Sequence, residues 1–169
     1  MIKLGVLKVN SEDFVIEVRK KIRKLTGLLE FSEFKAARIE AAISEMCRIG
    51  FEKNNCILIS IFITNANNQR ALLFKFNKIS DQGNYSFGHD FFDEFYLSNL
   101  EDGYLIAEGT SYLSETSFSS MNDVIEKIKV ELSMPSRAQL MKELEKKNNE
   151  LIVYAEGLKE AKNIAEEAA

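Results

Sequence analysis

The sequence predicts an α+β fold: a two-layer sandwich with helices on one face of a mixed, mostly antiparallel sheet, followed by a C-terminal coiled-coil helix. Three observations predict it. Runs of β-branched and aromatic residues at 1–9, 56–64 and 70–79 read as strands, the last two joined by the short segment Asn65-Ala-Asn-Asn-Gln69. Segments with apolar residues three and four apart lie between and after them. Pro135, the only proline in 169 residues, falls where a phenylalanine-rich stretch gives way to one dominated by Lys, Glu, Ala and Leu. The expected division is a folded domain over 1–133 and a helix over 134–169.

Each element has a local cause. At the start, Ile2, Leu4 and Val6 alternate with Lys3 and Gly5, the period of a half-buried strand. Ser11 offers an N-cap, with Glu12 and Asp13 beside the positive end of the helix dipole. Phe14, Val18, Ile22 and Leu25 then form one apolar stripe, Arg19 to Lys24 supply a solvated basic face, and Gly27 is the expected C-cap. Ser32 caps a second helix whose stripe is Ala36, Ile39, Ile43 and Met46 and whose expected end is Gly50. Beyond the hairpin, 95–100 and 104–113 read as two strands about the Glu101-Asp102-Gly103 turn. Residues 121–132 read as a helix, with Val124, Ile125, Ile128 and Leu132 on one face.

Composition narrows the function. With 46% hydrophobic and 28% charged residues, the chain can bury a core without a metal or disulfide. Its 22 Lys+Arg against 26 Asp+Glu argue against a nucleic-acid partner, which demands a basic excess. Cys47 and Cys56 lack a CxxC spacing and His89 is the only histidine, so the expected state is buried, reduced thiols in a cytoplasmic protein, with no metal. No apolar run approaches the ~20 residues of a membrane span. Lys3 and Lys8 interrupt any secretory leader. His89, among Gly88, Asp90, Phe91 and Phe92, reads as structural. Ser111, Ser114, Ser117, Ser119 and Ser120 offer phosphate acceptors, with Ser119 or Ser120 equally explained as a cap for the following helix.

The order strand, helix, helix, hairpin, Asp-x-Gly resembles the N-terminal part of the GHKL ATPase domain. It is most similar to the anti-sigma-factor serine kinases and their switch-kinase relatives. Asp13-Phe-Val-Ile-Glu-Val-Arg19 resembles the opening of that family's first helix and Ala36-Ala-Arg-Ile-Glu-Ala-Ala-Ile-Ser-Glu-Met-Cys-Arg48 its second, with the similarity running over residues 1–84. The resemblance implies an ATP·Mg²⁺ site in which Glu45 stands at the N-box Glu and Asp81 and Gly83 open the adenine-binding glycine box. The departures lie in the parts that hold metal and phosphate. Ile49 stands where the N-box has a metal-binding Asn and offers no oxygen to a hard cation. Tyr85 replaces the second glycine of the box, and no glycine-rich lid lies between Gly83 and Phe118. The reading is a pseudo-ATPase that holds no cofactor, with Glu45, Asp81 and Gly83 as remnants and no catalytic residue.

After Pro135, Leu140, Leu144, Lys147, Leu151, Tyr154, Leu158, Ala161, Ala165 and Ala168 follow one another at alternating spacings of four and three. That is a heptad seam with one polar interruption, and it predicts a parallel homodimer; the bland alternative is a helix folded back on the domain. Leu144-Glu-Lys-Lys-Asn-Asn-Glu-Leu151 and the Leu158–Ala168 stretch are similar to the signalling helix of bacterial hybrid sensor histidine kinases. A related helix precedes the serine phosphatases of stress pathways. The resemblance implies the N-terminal sensor region of a longer signal-transduction protein, with a signalling protein as a further partner and an output domain beyond Ala169. The alternatives are a nucleotide-binding serine/threonine kinase of the anti-sigma-factor type using Glu45 and Asp81, the regulatory region of a serine phosphatase, or a docking scaffold.

Overall fold

Strand alternation and two helical returns of the chain build the first unit. The computed structural model describes residues 1–53, 56–114, 121–135 and 137–168, which fall into two compact units, Met1–Met134 and Pro135–Ala169. In the first, strands β1 (Ile2–Val9), β2 (Ile57–Ala66), β3 (Gln69–Ser80), β4 (Glu94–Asn99) and β5 (Tyr104–Tyr112) form one sheet in the order β1-β2-β3-β5-β4. All of its ladders are antiparallel, so the sheet is not mixed as the sequence suggested. The connections explain this. Two helices, α1 (Glu12–Leu28) and α2 (Glu33–Lys53), carry the chain down and back between β1 and β2, so β2 starts at the end where β1 stops. β4 runs parallel to β3, but β5 inserts between them and pairs antiparallel with both.

Three helices cover one face of the sheet, with α4 (Met121–Ser133) beside α1 and α1 beside α2; the short α3 (Gly88–Phe91) joins α2 to β4. The inward row Leu7, Ile59, Phe76 and Ala107 lies in register across four strands, next to the row Ile61, Phe74 and Gly109. Against these pack Phe14, Val18, Ile22 and Leu25 of α1, Ile39, Ile43, Met46 and Cys47 of α2, and Ile125, Ile128 and Leu132 of α4, all buried. Each such side chain contributes roughly 1.5–3 kcal/mol by leaving water. Small residues in β5 make room for large neighbours: a Cβ on Gly109 would come within 2.6 Å of the Phe92 ring.

Several boundaries differ from the sequence reading. Gly27 is not the cap of α1; the helix runs one residue further to Leu28 with Leu29 as its cap, and Leu25 and Leu29 are both buried in the core. Glu30, at φ 57°, takes the left-handed position, and the N–H groups of Glu30 and Phe31 close back on the carbonyls of Gly27 and Thr26. Gly50 lies inside α2, where a Cβ would strike the Ile57 side chain at 2.1 Å, so it serves close packing and not termination. Ser11 sits at the N-cap of α1 without a side-chain bond, whereas the Ser32 hydroxyl accepts the Lys35 N–H at 3.2 Å. The hairpin turn tightens to Asn67-Asn68, both at positive φ, as a two-residue turn of the primed kind requires.

The basic face of α1 is not merely solvated. Arg19 and Arg23 bond Glu40 of α2, Lys24 pairs with Glu131 of α4, and the Lys21 ammonium donates to the Leu132 and Met134 carbonyls at the end of α4. Of the two cysteines, Cys47 is fully buried and Cys56 only partly, and both are free.

The second unit is one helix, α5 (Arg137–Ala168), 32 residues long and ~48 Å at 1.5 Å per residue. Gly157 does not break it. Its described side chains are exposed, the apolar seam positions Leu140, Leu144, Leu151, Tyr154 and Leu158 among them. Among the described residues no helix is long and apolar enough to cross a membrane.

Candidate functional site

The second half of α2 and the loop after β3 bring most of the expected remnants together. Ile49, on α2, is buried because it faces the loop 81–85, where Tyr85 is likewise only 5% exposed. The Tyr85 hydroxyl donates to the Ser80 carbonyl at 2.6 Å, folding the loop back on the strand it leaves. Gly83 is the point of closest approach. A Cβ there would lie 2.6 Å from the Tyr85 ring and 2.7 Å from Ile49 Cγ2. The glycine therefore admits a tyrosine and an isoleucine of this chain, at the position where the resemblance expects backbone to meet a nucleotide.

Asp81 is exposed at the mouth of the same loop. Its N–H donates to the Gly103 carbonyl, and its carboxylate accepts from Gln82 Nε2 at 3.0 Å and lies beside Gly103 at the β4–β5 turn. Burial, and secondarily the charge of Asp81, holds the Tyr85 phenol above its ordinary pKa, which keeps it a neutral donor. Glu45 is engaged elsewhere. Its carboxylate receives Arg48 Nη2 at 2.9 Å, and Arg48 Nη1 reaches Glu52 at 3.0 Å, so one guanidinium bridges two carboxylates along α2. Those bonds raise the Arg48 pKa further and fix it as a cation. Thus Ile49, Gly83 and Tyr85 meet, Asp81 borders them, and Glu45 is held by Arg48 in an ion-pair chain.

His89 sits edge-on to the Phe95 ring with centroids 5.4 Å apart. Ser111 is fully buried, so it is out of reach of a kinase in the folded chain. Ser117, Ser119 and Ser120 lie outside the described residues. Among the described residues no three His, Cys, Asp or Glu side chains gather as a metal site.

A feature missed in the sequence is a groove of about 400 Å³ between the start of α1 and the end of α2. Val15, Ile16 and Phe51 supply its apolar lining, with Ser44, Arg48, Glu12 and Glu52 around them. Its size is that of small-ligand sites. The signal was present: Val15 and Ile16 are apolar but off the buried stripe of α1, and Phe51 follows a glycine taken for a helix end.

No protein-family model matches the chain, and no curated protein matches it in sequence.

Proposed function

We propose that the chain is a cytoplasmic regulatory domain of a signal-transduction protein of the sensor-histidine-kinase type. It performs no phosphotransfer and passes an input from the α+β unit to a partner through a parallel homodimer of α5. The observation that carries this is the packing of Tyr85 and Ile49 against Gly83. Where the resembled ATPases need an oxygen for Mg²⁺ and open space for the nucleotide, this chain has an aliphatic side chain and a buried phenol. The input then falls to another surface, and the groove between α1 and α2 has the size and the mixed lining of a ligand site. Lys147, the one cation in the seam of α5, supplies a weak point at which two helix registers come close in energy.

Two measurements test the reading. Calorimetry of the full chain with millimolar ATP and Mg²⁺ should give no binding heat, and sedimentation at micromolar concentration should give a dimer. A saturable ATP heat that Asp81→Asn abolishes would establish the kinase alternative, and a monomer would remove the transmission mechanism.

A further inference from the structure

The two edges of the sheet are built differently. β1 carries features that discourage pairing: an extra residue between Lys3 and Gly5 breaks its register, and Lys3 and Lys8 are exposed on it. β4 has neither. It pairs with β5 in unbroken register from Glu94↔Thr110 to Asn99↔Leu105, contains no lysine or proline, and among the described residues has no strand on its other side. It also exposes Tyr96 (60%) and Leu97 (46%), with Leu100 (41%) just beyond its end. A row of unpaired N–H and C=O groups flanked by exposed apolar side chains is a template for another strand.

The strand's own sequence selects the occupant. N–H groups point alternately to the two sides of a strand, so a strand that pairs antiparallel with its own copy must be centred on a single residue. Centring on Leu97 sets Phe95 against Asn99 and Tyr96 against Ser98, and centring on Ser98 sets Leu97 against Asn99, each an apolar side chain against a polar one. Centring on Phe95 sets Glu94 against Tyr96. Only Tyr96 at the centre matches chemistry with chemistry. Tyr96 then meets its own copy, Phe95 meets Leu97 and Glu94 meets Ser98, all within the strand. We propose that a second copy of this chain adds to β4, antiparallel and with Tyr96 on the two-fold axis, joining two sheets edge to edge. This contact is independent of the seam on α5.

Single-cysteine cross-linking of the full chain tests it. With Cys56→Ser removing the partly exposed thiol and Cys47 left buried, Tyr96→Cys and Ser98→Cys are compared using a short bis-thiol reagent, with Leu151→Cys as a separate report on the helix. Tyr96→Cys should cross-link efficiently and Ser98→Cys at least tenfold less, because four residues of register place the two copies of position 98 ~13 Å apart. Both positions are exposed, and circular dichroism verifies that both variants fold. Equal or weaker cross-linking at position 96 overturns the strand pairing. A cross-link at Leu151→Cys in that same case would leave the helix dimer standing, so the two proposals fail separately.

Discussion

The Tyr85 hydroxyl bonds the Ser80 carbonyl at 2.6 Å and lays its ring across Gly83, so the loop 81–85 is filled by its own chain. Removing the hydroxyl in Tyr85→Phe should cost about 1 kcal/mol, the net worth of one hydrogen bond. Gly83→Ala forces the added carbon into the ring and into Ile49 and should cost about 1–3 kcal/mol, as overpacking does. Urea unfolding with an unchanged slope checks both. A Gly83→Ala variant as stable as the parent would mean that Tyr85 does not fill this space.

Alkaline pH should weaken the domain through a buried thiol. Burial pushes the Cys47 pKa from an ordinary 9.0 up to about 12. A group whose folded pKa is raised stabilises the fold fully below its unfolded pKa, and that contribution is lost as pH climbs from 9 towards 12. Tyr85 acts in the same sense above its ordinary value of 10, while Lys21, whose pKa burial lowers, acts in the opposite one. Cys47→Ala should therefore flatten the fall of stability between pH 9 and 12, and Lys21→Met should steepen it. In native protein at pH 8, a thiol reagent should modify Cys56 quickly and Cys47 only on unfolding; two fast thiols would contradict the burial.

Much of the fold was legible because apolar period and turn chemistry agreed. Phe14, Val18, Ile22 and Leu25 marked α1, and the Asn65–Gln69 segment marked a hairpin, which closes more tightly at Asn67-Asn68. Helix ends read from glycine were not. Gly27 and Gly50 are both internal, Gly50 because it faces Ile57, a neighbour that no local pattern reveals. The purely antiparallel sheet was hidden for a similar reason, since the insertion of β5 between β3 and β4 is a long-range pairing. At the site, Ile49 and Tyr85 were visible in sequence as departures from the expected pattern, but their mutual packing over Gly83 was not. The α1–α2 groove required both helices to be in place.

The two serine caps should respond differently to the same change. Ser32 accepts the Lys35 N–H and satisfies a donor that the first turn of α2 otherwise leaves open, so Ser32→Ala should cost about 1 kcal/mol. Ser11 makes no side-chain cap bond, so Ser11→Ala should change stability by less than about 0.5 kcal/mol. Thermal melts of the two variants side by side test this, and equal losses would deny the difference in capping.

Leu151 and Val153 are comparably exposed along α5, at 65% and 68%, yet the seam assigns them opposite importance. Leu151 continues the four-three spacing from Leu144 through Lys147 to Tyr154, whereas Val153 falls outside it. In a parallel two-stranded coil a carboxylate at 151 faces its own copy in an apolar layer, which leaves two charges desolvated without a partner. Leu151→Asp should therefore shift the proposed helix dimer to monomer at micromolar concentration, while Val153→Lys leaves the association constant within about threefold, because surface changes of this kind stay within about 0.5 kcal/mol. Lys147→Leu should tighten association by at least tenfold, since it replaces the one charged residue of the seam with an apolar one. Sedimentation equilibrium over a concentration series reads all three, with far-UV circular dichroism reporting whether α5 stays helical. Equal sensitivity at 151 and 153 would mean that the partner surface of α5 is not the heptad seam.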